Sequence, residues 1–281
     1  MGFNTITTIQ EGAVLKATIN DGDINVLNWK MMSDLNELLD QIKDDSTIKV
    51  LVFYSSIKEF FIAHLDLMPR SESTLPEMHP DYPTLGYFFG LMYKLSVLPI
   101  ATIAVMNGRC RGGGNDLAME CDMRFGTKDN TILMAPEVVV GLFSAGGGGR
   151  RMVEVMGTGK AYEFLYSGTD VDAVTAEKCG WINQAFDNEE DMTKHVDKLS
   201  NRIGKFNLSA LNATKACIRS IGRPLEGFEV DFKAFVELIK RPEVGQRIGE
   251  ALTVVKGGTY CEEELNLGES LMPQFFSKSS S

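Results

Sequence analysis

The chain has 281 residues, of which 44% are hydrophobic and 23% charged, as in a globular protein with one large domain or a domain and a smaller appendage. Its net charge of −10 argues against a nucleic acid or an anionic membrane as partner. The five cysteines and three histidines are scattered and show neither CxxC nor H-x-x-H spacing, which argues against a disulfide framework and against a bound metal.

The first ten residues, MGFNTITTIQ, lack the basic start and the apolar core of a signal peptide. We therefore expect a soluble, cytoplasmic protein. The most apolar stretch, residues 88–108, is interrupted by Lys94, Ser96 and Pro99. This stretch indicates a buried helix, a break at the proline and a buried strand, and not a membrane span.

The first half of the chain alternates strand and helix patterns. Apolar and β-branched runs predict strands over 13–20, 47–56, 99–106 and 122–127. Residues 28–45 space their apolar side chains at helical intervals, and the patterns also predict helices over 85–96 and 114–121. Repeated strand-then-helix units with buried strands favour a layered α/β core with parallel strands.

Strand patterns stop after about residue 205. The segments 208–221, 227–240 and 243–256 all have helical rhythm. Phe228, Phe232, Phe235 and Val236 fall on one stripe, which needs a surface to cover, either in this appendage's own core or on a neighbouring subunit. The final SKSSS is expected to be disordered.

A glycine triplet stands in "RCRGGGNDLAMECD" (109–122), after the strand over 99–106 and before a helix that starts near Asn115. The spacing is not that of a dinucleotide-binding loop, and "GTGKAYEF" (157–164) lacks residues that a phosphate loop needs. Amides at a helix start are unpaired, and glycines let a ligand oxygen approach them, as in an oxyanion hole. The alternative is that the glycines only allow tight packing of the helix on the sheet.

Five segments in order resemble the enoyl-CoA hydratase/isomerase, or crotonase, superfamily. They cover much of residues 10–200. The segments are "DGDINVLN" (21–28), "FFIAHLDL" (60–67), "NGRCRGGGNDLAMECDMRFGT" (107–127), "APEVVVGLFSAGGGGRRMVEVMG" (135–157) and "EFLYSGTDVDAVTAEKCGWINQAF" (163–186).

The resemblance implies an α/β fold, a crotonase-like spiral of β-β-α turns, with a C-terminal helical trimerisation region. We expect the spiral core over residues 1–204 and the helical region over 205–281. The implied ligand is an acyl-CoA thioester, or an acyl group on a carrier arm. No separate cofactor and no metal are implied, and the implied assembly is a homotrimer or a dimer of trimers.

The resemblance also assigns site residues. The backbone amides of Leu65 and Gly113 would hold the thioester oxygen, and Glu137 and Asp116 would handle protons. The implied substrate-binding residues are Ile24, Ala63, His64, Asp66 and Gly112.

Four positions depart from the family pattern, namely Asp116, Ala145, His64 and Met68, whereas Glu137 matches it. Asp116 is one methylene shorter than the family glutamate, which puts ordinary hydration in question; the alternative is an acid that only stabilises the helix dipole. For Glu137 the alternative is a surface carboxylate in a turn. Ala145 stands where the dienoyl-CoA isomerases of the family carry a second aspartate.

His64 stands where the family has a small residue. It could contact CoA, act in acid–base chemistry, or only fill space beside the loop over 69–84. Met68 stands where the family has a basic contact to the CoA phosphate, for which Lys58, Arg70 or a lysine of another subunit could substitute.

The sequence therefore predicts an acyl-CoA enzyme, first an enoyl-CoA hydratase. A double-bond isomerase, or a C–C or thioester hydrolase on the same platform, is the second hypothesis. The third, of another class, is an inactive family member that serves for binding or as a scaffold.

Overall fold

The computed structural model describes residues 2–67, 77–220, 222 and 224–272. Met68, Arg70, part of the loop over 69–84 and the SKSSS tail lie outside the described residues. In chain order the strands are β1 (Ile6–Glu11), β2 (Val14–Ile19), β3 (Val50–Ser55), β4 (Phe60–Ile62), β5 (Ala101–Met106), β6 (Arg109–Arg111), β7 (Met123–Thr127), β8 (Ile132–Met134), β9 (Val171–Asp172) and β10 (Gln184–Phe186).

Four of the described α-helices begin after a residue whose side chain caps the helix, namely Asn28, Asp172, Asn188 and Asn207. For α1, the side chain of Asn28 accepts a hydrogen bond from the Met31 amide, and the apolar stripe that follows is buried. In chain order the helices are α1 (Trp29–Ile42), α2 (Tyr87–Val97), α3 (Gly113–Glu120), α4 (Gly148–Ser167), α5 (Ala173–Cys179), α6 (Glu189–Gly204), α7 (Leu208–Arg219), α8 (Leu225–Ile239), α9 (Pro242–Val254), α10 (Glu262–Leu265) and α11 (Leu267–Ser270).

Two sheets organise the core. In the described residues the larger sheet has the order β1-β2-β3-β5-β7-β10, and the smaller has the order β4-β6-β8-β9. From β2 to β10 the larger sheet is parallel. In β3 the first four residues, VLVF, are buried, as a strand covered on both faces requires.

The chain winds as a spiral in which each turn visits both sheets and then a helix. One turn is β3, β4 and α2, and the next is β5, β6 and α3. The third is β7, β8 and α4. The prediction of β-β-α turns is thereby confirmed.

Three local features of the structure were absent from the sequence predictions or differ from them. Strand β1 was not predicted, although it pairs antiparallel with β2 across a turn in which Gly12 has φ +60°. The glycine turn contains strand β6, and α3 starts at Gly113 and not near Asn115. The apolar run after Pro136, for which no element was predicted, folds as a short 3-10 helix, Glu137–Val140, that ends at Gly141 with φ +82°.

The aromatic stripe of the C-terminal helices covers this chain's own α2. The ring of Phe232 lies 5.0 Å from Phe89, and that of Phe228 lies 5.3 Å from Tyr93. The division into units at residues 204 and 205 stays a prediction. Of the helices in the described part of the chain, none has the length and apolar character to cross a membrane.

Candidate active site

An apolar pocket opens where α3, the 3-10 helix and the C-terminal helices meet. Its empty volume is about 850 Å³, including the space at its mouth. Its floor includes Gly112, Gly113, Asp116 and Glu137. Its apolar walls come from both halves of the chain and include Leu67, Phe88, Phe143, Phe235, Ile248 and Leu252.

The glycine triplet is required by close packing at the pocket floor. Gly112 has φ +50°, a conformation that side chains disfavour. A Cβ on Gly113 would lie 2.8 Å from the Cβ of Leu65, and one on Gly114 would lie 2.5 Å from the carbonyl oxygen of Ile62. The packing alternative is therefore correct for Gly114, and at Gly113 the packing brings two distant segments together.

The backbone amides of Leu65 and Gly113 are neighbours. The Cβ position of Gly113 is 3.3 Å from the Leu65 nitrogen, and among the described residues neither amide donates a hydrogen bond to a protein acceptor. The carbonyl of His64 accepts from the Leu27 amide at 2.8 Å. Because carbonyl and amide point in opposite directions in a trans peptide, the Leu65 N–H is directed away from Leu27.

The direction of the Gly113 amide follows from its place at the start of α3. The preceding carbonyl, that of Gly112, accepts from the Asp116 amide at 2.9 Å and so points along the helix. The Gly113 N–H therefore points out of the helix N-terminus, where the dipole favours negative charge. The two free amides can together serve one partially negative oxygen.

Asp116 is buried, 3% exposed, in a cradle of glycines and one hydroxyl. The Ser144 hydroxyl donates to Asp116 Oδ1 at 2.8 Å. A Cβ on Gly148 would lie 2.0 Å from Oδ1, and one on Gly146 would lie 2.8 Å from Oδ2. The "AGGGGR" run thus makes room for this carboxyl, which is more than a dipole-stabilising acid at a helix surface needs.

Glu137 lies at the start of the 3-10 helix and faces Gly112. Its Oε1 is 3.4 Å from the position that a Cβ on Gly112 would occupy. Its Oε2 is buried and has no hydrogen-bond partner among the described residues. The alternative of a carboxylate on a surface turn was wrong, because the apolar pocket walls enclose this side chain.

Burial raises the pKa of both carboxyls above their ordinary values, and in each case a neighbouring carboxylate raises it further. For Asp116, hydrogen bonds from Ser144 and the Gly146 amide oppose the rise because they favour the charged form. Glu137 has no such hydroxyl donor. These hydrogen bonds favour the ionised form of Asp116, and burial favours the protonated form of Glu137.

His64 lines the pocket mouth and contacts the C-terminal segment. Its Nδ1 lies 3.2 Å from the Leu65 carbonyl oxygen, and its Nε2 lies 3.5 Å from Oε2 of Glu264, which is fully buried. Burial opposes protonation of the ring, but the Glu264 carboxylate, the Leu65 carbonyl and Asp66 together raise the pKa of His64 above 6.5, with Glu264 contributing most to the rise.

The other residues assigned to substrate binding lie behind the pocket. Ile24 and Ala63 are buried in a small apolar cluster with Phe60, and the Ala63 amide donates to the Ile24 carbonyl. The Asp66 amide donates to the Leu27 carbonyl at 3.1 Å. Of the five assigned residues, His64 and Gly112 line the pocket, and the other three do not.

Sequence reasoning missed Ser144 and Glu264. Ser144 stands directly before the glycine run, so the need to accommodate the buried Asp116 could have indicated it. No pattern indicated Glu264, which lies in the predicted helical region over 205–281. Within the described residues, His, Cys, Asp and Glu side chains form no group of three or more that could hold a metal ion.

Comparison with known proteins gives consistent matches. A family model described as "Enoyl-CoA hydratase/isomerase" matches residues 9–247. "Enoyl-CoA hydratase domain-containing protein 2, mitochondrial" of Mus musculus is 31% identical over 167 residues, 59% of this chain and 55% of that protein. The match thus spans about half of that relative's length.

Two further relatives cover more of the chain. "Probable enoyl-CoA hydratase 2, mitochondrial" of Arabidopsis thaliana is 27% identical over 216 residues, 76% of this chain and 70% of that protein. A crystal structure from Streptomyces avermitilis, described as a "putative enoyl-CoA hydratase", matches with a TM-score of 0.88 and 31% identity, over 97% of this chain and 98% of that chain.

Proposed function

Because the chain belongs to the enoyl-CoA hydratase/isomerase family, we propose that it is an acyl-CoA-processing enzyme that adds water across an α,β double bond, or removes it. The observation that carries the proposal is the floor of the pocket. Two neighbouring backbone amides without protein acceptors lie beside a buried carboxyl pair, under walls that suit an acyl chain.

The amides of Leu65 and Gly113 hold the thioester oxygen. When water attacks the β-carbon, the electron pair of the double bond moves toward the carbonyl and leaves negative charge on that oxygen. Preorganised donors stabilise this charge more than the neutral substrate, and in comparable sites one donor contributes roughly 3–4 kcal/mol. Coenzyme A enters as part of the substrate, and no separate cofactor is required.

The carboxyl pair divides acid and base work. Asp116, the ionised member, takes a proton from the attacking water as its oxygen bonds to the β-carbon. Glu137, the protonated member, gives its proton to the α-carbon as the enolate collapses. Proton transfer afterwards from Asp116 to Glu137 restores the pair, so the net change is one water added.

A double-bond isomerase is the second candidate, and one observation favours it. Ser144 and Gly146 hold the shorter Asp116 carboxyl in place, whereas Glu137 has a free oxygen. A single carboxyl with a free oxygen is enough to move one proton between the α- and γ-carbons. For an inactive scaffold, the third hypothesis, there is no reason to keep an unpartnered buried Glu137 at a cost in stability.

Incubation with 2-enoyl- and 3-enoyl-CoAs tests the proposal. The reaction is followed by loss of enoyl absorbance and by product mass. We expect a 2-enoyl-CoA to gain the mass of one water. A mass-neutral change of a 3-enoyl-CoA would identify the isomerase instead, and release of free CoA would identify a hydrolase. If none of the substrates reacts, the scaffold hypothesis replaces the proposal.

We also propose a homotrimer or dimer of trimers. Exposed apolar side chains such as Tyr166, Ile218 and Val230 are suited to contacts between copies. Light scattering after gel filtration should give three or six times the chain mass, and a monomer mass would contradict this. The cytoplasmic location stays a prediction, since two of the relatives above carry the word mitochondrial in their names.

A further inference from the structure

The C-terminal helix α10 touches both segments that supply the free amides. On one side, the guanidinium of Arg111 donates to the carbonyls of Glu264 at 2.6 Å and Leu265 at 3.0 Å. Arg109 donates to the same Leu265 carbonyl at 2.7 Å. Both arginines lie on β6, the strand that precedes Gly112 and Gly113. Helix α10 is therefore bonded to the segment that supplies the Gly113 amide.

Arg111 is itself held firmly. Its side chain is fully buried, and its Nε and Nη2 each donate to the Asp170 carboxylate at 2.8 Å. A bidentate pair of this kind fixes the plane of the guanidinium. Nη1 then donates to the Glu264 carbonyl, and Nη2 also donates to the Leu265 carbonyl. The Glu264 backbone is therefore placed by charge-assisted bonds that do not depend on its own side chain.

On the other side, α10 contacts His64, which is next to the residue that supplies the Leu65 amide. The Glu264 carboxylate is fully buried, and among the described residues neither of its oxygens has a hydrogen-bond partner. The one imidazole nitrogen near it is Nε2 of His64, at 3.5 Å, while Nδ1 faces the Leu65 carbonyl. Only the doubly protonated ring can present an N–H to both acceptors at once.

From these contacts we propose that Glu264 is a positioning residue, which holds the His64 ring in its observed orientation. The ring in turn holds the 65–66 peptide, and with it the adjoining Leu65 amide, so that this amide faces the reacting carbonyl oxygen. This inference rests on the proposed function of the Leu65 amide. Glu264 itself touches neither the substrate nor the reacting atoms. It acts through His64, whose ring orientation fixes the 65–66 peptide next to the amide.

The charged groups around the ring make the effect depend on pH. Glu264 faces it from α10, Asp66 from its own segment, and Glu137 lies beyond Gly112, whose Cβ position is 3.8 Å from the His64 Cβ. Of these, the Glu264 carboxylate contributes most to keeping the ring charged. Without it, burial dominates and the ring becomes neutral at lower pH. Nδ1 then has no N–H for the Leu65 carbonyl when Nε2 keeps the proton.

Histidine NMR tests the interaction between Glu264 and His64 without any enzyme assay. The chain has three histidines, and the spectrum of a His64→Gln variant assigns the His64 signals. In the wild-type protein we expect the His64 imidazole to titrate with a midpoint above 6.5, and in Glu264→Gln with a midpoint below it. The matched control is Glu262→Gln, an exposed glutamate of the same helix, which should titrate as the wild type does.

Steady-state kinetics test whether Glu264 and His64 position the Leu65 amide. At the pH where the wild-type enzyme is most active, Glu264→Gln should lower kcat about tenfold with KM changed less than twofold, because the amide contact strengthens in the transition state. The loss should shrink as the pH is lowered and the ring regains its proton. Glu264→Asp, which keeps the charge, should recover part of the activity, and Glu262→Gln should lose none.

The possible failures are distinct. No turnover by the wild-type enzyme would refute the proposed function, while the NMR titration would still show whether Glu264 keeps His64 charged. With an active wild-type enzyme, an unchanged kcat in Glu264→Gln, or a loss that is equal at every pH, would overturn the positioning role. If Glu264→Gln does not fold, a wild-type His64 midpoint below 6.5 is enough to refute the inference.

Discussion

At the scale of single residues, the candidate site is defined by polar groups that lack protein partners. The amides of Leu65 and Gly113 and the Oε2 of Glu137 have none among the described residues. Leaving buried polar groups unsatisfied costs roughly 1–3 kcal/mol each. A ligand that supplies a carbonyl oxygen and a reacting proton would offset this cost, so the arrangement is more favourable with substrate bound.

The two carboxyls should contribute unequally to turnover. Glu137→Gln removes the free, proton-donating oxygen, and we expect turnover to fall by about 10²–10⁴-fold. Asp116→Asn keeps a side-chain oxygen that Ser144 can bond and can still orient a water, so its loss should be smaller. Turnover of 2-enoyl-CoA by both variants checks this, with the exposed Glu163→Gln as control. Equal or reversed losses would contradict the ranking.

Glu137 should also make stability depend on pH. Its raised pKa means that, above its ordinary value of 4.5, the folded protein keeps a proton that the unfolded chain has lost. Stability from this group is therefore lost as the pH rises toward its folded pKa, by up to about 1.4 kcal/mol for each pH unit. Glu137→Gln has no such proton to lose.

Urea unfolding at pH 5.5 and pH 8 measures this difference. The free energy of unfolding of Glu137→Gln relative to wild type should rise by about 1 kcal/mol or more between the two pH values. Glu262→Gln, at an exposed position, should show no such rise. A flat difference between wild type and Glu137→Gln would mean that the Glu137 carboxyl is ionised in the folded protein.

Sequence patterns located some of these residues and not others, for a physical reason. Glu137 and Asp116 stand in local motifs whose spacing matches the family pattern. The Ser144 hydroxyl reaches Asp116 across 28 positions, and Glu264 reaches His64 only because α10 folds back onto β6. Contacts of that kind depend on tertiary packing, which local periodicity does not encode.

At the scale of elements, the glycines of α4 act differently according to what lies beside them. A Cβ on Gly148 would overlap the Asp116 carboxyl, whereas one on Gly159, in the same helix, would meet nothing within 4 Å. Gly148→Ala should therefore displace Asp116 and lower kcat at least about tenfold, since small misplacements of a reacting group are costly. Steady-state kinetics with 2-enoyl-CoA measure this.

Gly159→Ala is the matched control. It should leave kcat unchanged and stabilise the exposed helix by roughly 0.5–1 kcal/mol, because alanine loses less backbone entropy than glycine. Full activity in Gly148→Ala would show that Asp116 needs no cradle.

Element boundaries were predictable where periodicity was strong and unreliable at the site. The predicted helix over 28–45 corresponds to α1, Trp29–Ile42, and the strand over 47–56 corresponds to β3. The three-residue strand β6 and the 3-10 helix at Glu137–Val140 were missed, because each is too short to show a period. The 3-10 helix supplies Glu137 to the pocket floor, and β6 leads to Gly112 and Gly113 of the same floor.

At the scale of the whole molecule, the pocket exists because the C-terminal helices close over the spiral. Phe235 of α8 and Ile248 and Leu252 of α9 form a wall opposite Leu67 and Phe143. The sequence predicted a helical region with a surface to cover, but its apolar stripe did not reveal which surface. The stripe packs on α2 of the same chain and so helps to build the pocket.

The apolar wall predicts a preference for longer acyl chains. Each methylene that enters the pocket contributes about 0.8 kcal/mol, so KM should fall about three- to fourfold for every added methylene until the pocket is full. A series of 2-enoyl-CoAs from crotonyl upward measures this. Replacing Phe143 by leucine, as a test of the wall, should weaken the dependence. A KM that does not change with chain length would contradict the assignment of this wall to the acyl group.

The most direct test of the account is a crystal structure of Glu137→Gln bound to a 2-enoyl-CoA. We expect the thioester oxygen to lie about 2.7–3.1 Å from both the Leu65 and the Gly113 amide nitrogens, with the side chain at position 137 and Asp116 facing the α- and β-carbons. A thioester oxygen bound elsewhere, or bound to only one of these amides, would contradict it.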